Sequence, residues 1–190
     1  MKLKDIIEET ISGDWGSDCC SDETPYPISC VRGADITPIA NNSFDEIPTR
    51  FVSKKSLSSR KLQIGDLIIE KSGGSPTQST GRVSYISNSL FKAKPNLLCS
   101  NFCCAIRVKK NWNPHFVYYY WQYVYNAGIF FNFEGKTSGL KNLQLDNALS
   151  SIEIPNISIF NQNLIVNALS KIEDKIAINR EINRNLALVA

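Results

Sequence analysis

The amino-acid sequence predicts an α+β protein. A twisted, β-rich domain with one packed helix, residues 1–158, leads into a long C-terminal coiled-coil helix, residues 159–190. Three observations carry that prediction. Between positions 26 and 108, short apolar runs rich in β-branched residues are bounded by Gly, Ser and Pro, the punctuation of strands. Asn113-Pro114 opens an aromatic segment of helical length that stops at Gly128. From about Phe160 onward there is no glycine or proline, and Ile165, Leu169, Ile172 and Ile176 recur at 4-3-4 spacing.

The elements follow in order. Leu3 to Thr10 alternates apolar and charged residues at helical spacing and is expected to be a helix, broken by "SGDWG". Strands are expected at "YPISCVRGADI", "IPTRFVS", "LQIGDLIIEKSGG", "GRVSYIS" and, as one strand, "LLCSNFCCAIRV". The helix "HFVYYYWQYVYNAG" carries Tyr118, Tyr119, Tyr120, Trp121, Tyr123 and Tyr125. They suit a face packed on the sheet better than a base-stacking platform, because aromatic rings bury large areas and tolerate a wet edge. "SSIEIP" reads as a last strand, and Pro155-Asn156 separates it from the tail. At 1.5 Å per residue the tail helix is about 45 Å long. Its seam, Ile165, Leu169, Ile172, Ile176, Asn179, Asn183 and Leu186, is the expected dimerisation surface, with the two asparagines setting register.

Composition narrows the classes. A chain of 190 residues fits one domain of ordinary size, and a net charge of +3 is too slight to mark a nucleic-acid binder by itself. "MKLKDIIEET" lacks the apolar core of a secretion signal and no apolar run reaches transmembrane length, so a cytoplasmic protein is expected. Six cysteines without a C-x-x-C pair, and His115 as the one histidine, argue for reduced thiols over a zinc site. Cys99, Cys103 and Cys104 are expected to fill space as small buried hydrophobes.

No catalytic, metal or cofactor site is expected. Gly-Lys-Thr at 135–137 lacks the first glycine of a phosphate loop, since Phe130 stands in its place. Glu70 and Lys71 are adjacent and point to opposite faces of a strand, unlike the Glu-x-Lys of metal nucleases. "NPHF" has His115 where amino-methylating enzymes carry a proline, and no Gly-x-Ser-x-Gly elbow occurs.

The loops instead suit binding. Arg32, Arg50, Lys71, Ser72, Gly73, Gly74, Ser75, Arg82, Lys136, Thr137, Ser138, Lys141 and Asn142 lie at strand ends or in turns. Small polar residues and glycine amides approach phosphates closely, while Arg, Lys and Asn read base edges.

The ordered set "DWG", "VRGADI", "LQIGDLIIEKSGG", "GRVSYI", "SNF", "GKTSGLKNL" and "IEIPN…FNQNLIVNALSKIEDKIAINREINRNL" resembles the specificity subunit of type I restriction-modification systems. The resemblance spans nearly the whole chain and includes Pro155 and Gln162. It implies a target recognition domain that binds double-stranded DNA, and a helix that docks the methylation subunit and through it the restriction subunit. A full subunit of that family has two such domains joined by antiparallel helices. One domain and one helix imply a half subunit that homodimerises through the helix. The rival reading is a non-catalytic protein-protein assembly module whose coiled-coil arm acts without DNA contact.

Overall fold

The computed structural model describes residues 1–73, 77–137 and 140–187. The chain opens with a 3₁₀ turn, Leu3–Ile6, and runs through β1 (Ile7–Ser12), β2 (Tyr26–Val31), α1 (Ile36–Ala40), β3 (Thr49–Val52) and α2 (Lys54–Arg60). Next come β4 (Leu67–Glu70), β5 (Ser72–Gly73), β6 (Val83–Tyr85), α3 (Asn88–Ala93), β7 (Leu97–Cys99) and β8 (Cys103–Val108). The remainder is α4 (Pro114–Asn126), β9 (Glu134–Thr137), β10 (Leu140–Leu143), α5 (Leu145–Ser151) and α6 (Ile159–Ala187).

The central sheet is antiparallel, in the order β1-β8-β4-β6. Its middle strands are apolar on both faces because both are covered. Leu67, Ile69, Cys104 and Ile106 point to a core with Val117, Trp121, Val124 and Phe130. Ile68, Cys103 and Ala105 point the other way, to Val31, Ile86, Leu90 and Leu97. That is the period of two expected of a strand buried on both sides. A second sheet, β3-β2-β7, pairs β2 with β7 in parallel, and a third, β5-β10-β9, joins segments far apart in sequence.

Helix α4 forms where expected. Asn113 Oδ1 caps it, accepting from the backbone N–H groups of His115 and Phe116, and Gly128 ends it in the left-handed region at φ 72°. Its rings pack inward: Trp121 is fully buried and donates its indole N–H to the Gly81 carbonyl at 2.8 Å. Tyr123 alone of the aromatic cluster is largely exposed.

Three expectations are corrected. Leu3 to Thr10 is not a helix but a 3₁₀ turn followed by an edge strand, because pairing with β8 places Ile11 opposite Ala105 and Thr10 opposite Ile106. "LLCSNFCCAIRV" is two strands of different sheets, separated by the turn at Ser100 to Phe102. "SSIEIP" supplies the end of α5 and an extended segment with a single bridge, Lys2 to Glu153. Cys30, Cys99, Cys103 and Cys104 are buried and unbridged. No helix among the described residues is long and apolar enough to cross a membrane.

Candidate nucleic-acid interface

The small sheet β5-β10-β9 collects residues singled out from two distant loops. Lys141 stands opposite Gly73 on one side and Lys136 on the other; Asn142 stands opposite Ser72, and Leu140 opposite Thr137. The Ser72 hydroxyl donates to Asn142 Oδ1, so the β5 strand is bound to β10 through side chains as well as backbone. Lys71 enters this sheet with its N–H on the Phe102 carbonyl at 2.8 Å and its carbonyl receiving Leu143 N–H at 2.7 Å. Among the described residues its ammonium has no hydrogen-bond or ion-pair partner. Lys141 is anchored, with Glu134 at 3.2 Å, the Gln78 carbonyl at 3.3 Å and the Phe131 ring centroid at 5.2 Å. Gly74, Ser75 and Ser138 lie outside the described residues.

Against Gly73 of β5 sits a buried ion pair. Glu70, 3 % exposed, accepts from Arg82 Nε at 2.8 Å and Nη2 at 2.7 Å, and Nη2 also donates to the Gly33 carbonyl at 3.0 Å. The carboxylate's hydrogen bonds hold the Arg82 guanidinium's pKa above its ordinary value, against the cost of burial. Gly33 and Gly73 both crowd Glu70: a Cβ on either would stand 2.8 Å from Oε1. Glycine at these two positions therefore lets the "VRGAD" and "KSGG" loops close over one carboxylate, and at Gly73 the backbone also needs φ +140°.

The other two arginines are likewise spent on the fold. Arg32 grips Asp35 through Nε at 3.0 Å and Nη2 at 2.7 Å and donates to the Glu46 carbonyl at 2.8 Å. Arg50, 6 % exposed, donates to the carbonyls of Trp15 and Gly16, pairs with Asp18 and lies 4.2 Å above the Trp15 ring. Its partners belong to the Trp15–Asp18 loop, apart from the Glu70 group.

Helix α6 leaves the domain at a buried latch. Gln162, 1 % exposed, accepts from Asn113 N–H at 2.8 Å and donates to the Ile157 carbonyl at 3.0 Å. Farther along, Glu173 accepts from the Tyr119 hydroxyl at 2.6 Å and lies 3.8 Å from His115, whose ring is stacked between Tyr85 and Tyr119. A cleft of about 750 Å³ between α6 and the domain is lined by Tyr85, His115, Glu173 and Ile176. Leu169 is half-buried, while Ile165, Ile172, Asn179, Asn183 and Leu186 remain exposed, as do Leu164, Ile178 and Ile182 beside that seam.

Residues 39–188 match the family model of the type I restriction modification DNA specificity domain. The chain belongs to this family. Over 98 % of its length this specificity domain is similar to the S subunit of a type I restriction-modification system from M. genitalium, at 16 % identity and TM-score 0.59, covering 42 % of that chain. It is similar over 96 % of its length to the HsdS subunit from Thermoanaerobacter tengcongensis, at 18 % identity and TM-score 0.54, covering 39 % of that chain. A third similar structure concerns complex assembly and conformational transition of the type I R-M system, at 16 % identity and TM-score 0.60 over 98 % of this chain and 40 % of that one. The specificity domain thus spans about two fifths of the length of these structures. No curated protein matches the sequence.

Two residues of this specificity domain take roles that its sequence does not announce. Glu70, adjacent to Lys71 and without the pattern of a metal ligand, is the anion that organises two loops. Phe102, within an apolar run that reads as one strand, is exposed at a turn whose carbonyl takes the N–H groups of Lys71 and Ser72. The signal for that turn is Ser100-Asn101, a pair of turn formers inside the apolar run.

Proposed function

We propose that this specificity domain reads one half of a split duplex DNA target and, through α6, directs the methylation subunit and with it the restriction subunit to that site. It supplies recognition and no chemistry of its own. The observation that carries the reading is the convergence of Lys71–Gly73 with Lys136–Asn142 in one small sheet, since both stretches hold the short polar and cationic residues that suit phosphates and base edges. Lys71 and Lys136 meet the backbone, Lys141 adds its charge to the face while held on Glu134, and Ser72 and Asn142 stand among them. Arg82 acts one step back, paired with the Glu70 carboxylate over which the Ser72–Gly73 loop closes, while Arg32 and Arg50 brace other loops of the domain.

A second role is favoured by the apolar residues left exposed on α6. An arm of this kind assembles with another helix, and assembly and DNA reading are compatible in one chain. The test uses the chain in complex with its methylation subunit. Duplex binding is measured across a salt series for the natural protein and for Lys71→Ala/Lys136→Ala/Lys141→Ala. Removing one phosphate-binding charge lowers the slope of log affinity against log salt by about 0.9. An unchanged slope removes the assignment of this face; a complex that retains no duplex at low salt removes the DNA reading and leaves the assembly module.

A further inference from the structure

Phe102 stands out among the exposed apolar residues of the domain. It is 54 % exposed, at the turn between β7 and β8, and among the described residues no aromatic ring or cation packs on it. Phe131, by contrast, is 47 % exposed but has the Lys141 ammonium over its ring at 5.2 Å. Isolated exposed phenylalanines are ordinary on protein surfaces. What sets this one apart is its support.

The turn is held from three directions. Ser100 N–H donates to the Val31 carbonyl at 2.9 Å, Cys103 N–H closes the turn on the Ser100 carbonyl at 2.9 Å, and Asn101 Oδ1 accepts from Trp15 N–H at 3.0 Å. Gly13 backs it so closely that a Cβ there would stand 1.9 Å from the Ser100 oxygen. The Phe102 carbonyl takes both Lys71 N–H, at 2.8 Å, and Ser72 N–H, at 3.0 Å. The ring therefore projects from a fixed backbone joined directly to the strand that opens the candidate DNA face. A binding group held in place beforehand loses little freedom on association.

We propose that Phe102 is a base-reading residue of this face, packing its ring on the 5-methyl group of a thymine in the major groove. The inference rests on the DNA reading above. Thymine's methyl is the apolar feature among the major-groove edges, and phenylalanine is one of the side chains that contacts it. The neighbourhood selects this role over a wedge between base steps. Ser72 and Asn142, which stand among the phosphate-binding lysines, are of the types that read major-groove edges, whereas wedges act from the minor groove.

The test again uses the complex with the methylation subunit, on the half-site found by sequencing the positions it methylates. Duplexes are prepared in which each thymine in turn is replaced by uracil, which lacks the methyl. One replacement is expected to weaken the natural complex about fourfold, the worth of burying one methyl-sized group. Phe102→Ala is expected to weaken the thymine duplex by a similar factor and to become indifferent to that replacement. Phe102→Leu keeps the preference, and the salt slope is the same for all three. A Phe102→Ala complex that still feels the replacement as the natural one does, or a natural complex indifferent to every replacement, overturns the proposal. Loss of the underlying DNA reading looks different: the natural complex then shows no salt-dependent duplex binding at all.

Discussion

The side-chain oxygen of Gln162 accepts the backbone N–H of Asn113 at 2.8 Å, so the first turn of α6 is tied to the cap of α4. Gln162 is 1 % exposed and also donates to Ile157, which leaves neither of its polar ends free. Gln162→Leu keeps the bulk and strands the Asn113 N–H. A loss of about 2 kcal/mol is expected in urea unfolding, the usual cost of an unsatisfied buried donor. Faster hydrogen exchange at Asn113 should accompany it. A variant as stable as the natural protein, with Asn113 still protected, contradicts the latch.

Arg82 and Lys71 should separate cleanly. Removing Arg82 leaves Glu70 buried and unpaired, so Arg82→Ala is expected to cost about 3 kcal/mol. Lys71→Ala removes an ammonium with no hydrogen-bond or ion-pair partner among the described residues and should change stability by no more than about 0.5 kcal/mol. Its effect should appear in the salt slope of DNA binding instead. Equal stability losses for the two variants would show that Lys71 has a structural role of its own.

Cysteine chemistry gives a third check. Burial pushes the Cys30 and Cys104 thiols up to about 12 and Cys103 to about 11, from an ordinary 9.0. A raised folded-state value stabilises the neutral thiol, so this contribution is complete below about 9 and is lost as pH rises from there toward 11 and 12. Ellman's reagent should titrate Cys19 and Cys20 in the native protein and all six thiols in denaturant. Fast reaction of a third native thiol would contradict the packing of the sheets.

His115 supplies the acid limb. Burial lowers its pKa from 6.5, opposed by Glu173. A lowered folded value for a base means the unfolded chain binds more protons, so stability is full above 6.5 and falls as pH drops below it. His115→Phe preserves the stack between Tyr85 and Tyr119 and should flatten that limb in a pH series of unfolding curves. An identical limb in the variant would assign it to other groups.

Helix α6 should self-associate. Ile165 and Ile172, with Ile182 and Leu186, expose apolar area that water disfavours by roughly 25 cal/mol per Å². Sedimentation equilibrium at tens of micromolar is expected to give a dimer, and Ile165→Asp with Ile172→Asp a monomer. A clean monomer for the natural chain would assign this face to the methylation subunit instead.

Local chemistry decides what is legible in the sequence. Helix α4 can be read because a cap, Asn113-Pro114, and a stop, Gly128, bracket it. Strand β1 cannot: the apolar and charged residues of Leu3 to Thr10 have helical spacing, and only the partner strand β8 makes the chain extend from Ile7. Lys71–Gly73 and Lys136–Asn142 are recognisable as turn residues of binding type, but their pairing joins positions about seventy apart and leaves no local trace. The arginines are the hardest. Arg50 and Arg82 look like free surface cations until the fold brings Asp18 and Glu70 to them, and Arg32 until the 3₁₀ turn that follows it sets Asp35 on its guanidinium.

On the function proposed above, the chain chooses the DNA sequence on which its partner acts. The direct measurement is genome-wide sequencing of methylated positions in cells expressing the methylation subunit with and without the chain. Methylation is expected at one defined two-part sequence, absent without the chain and weakened by Lys71→Ala/Lys136→Ala/Lys141→Ala. Methylation of the same sequence in cells lacking the chain would contradict it.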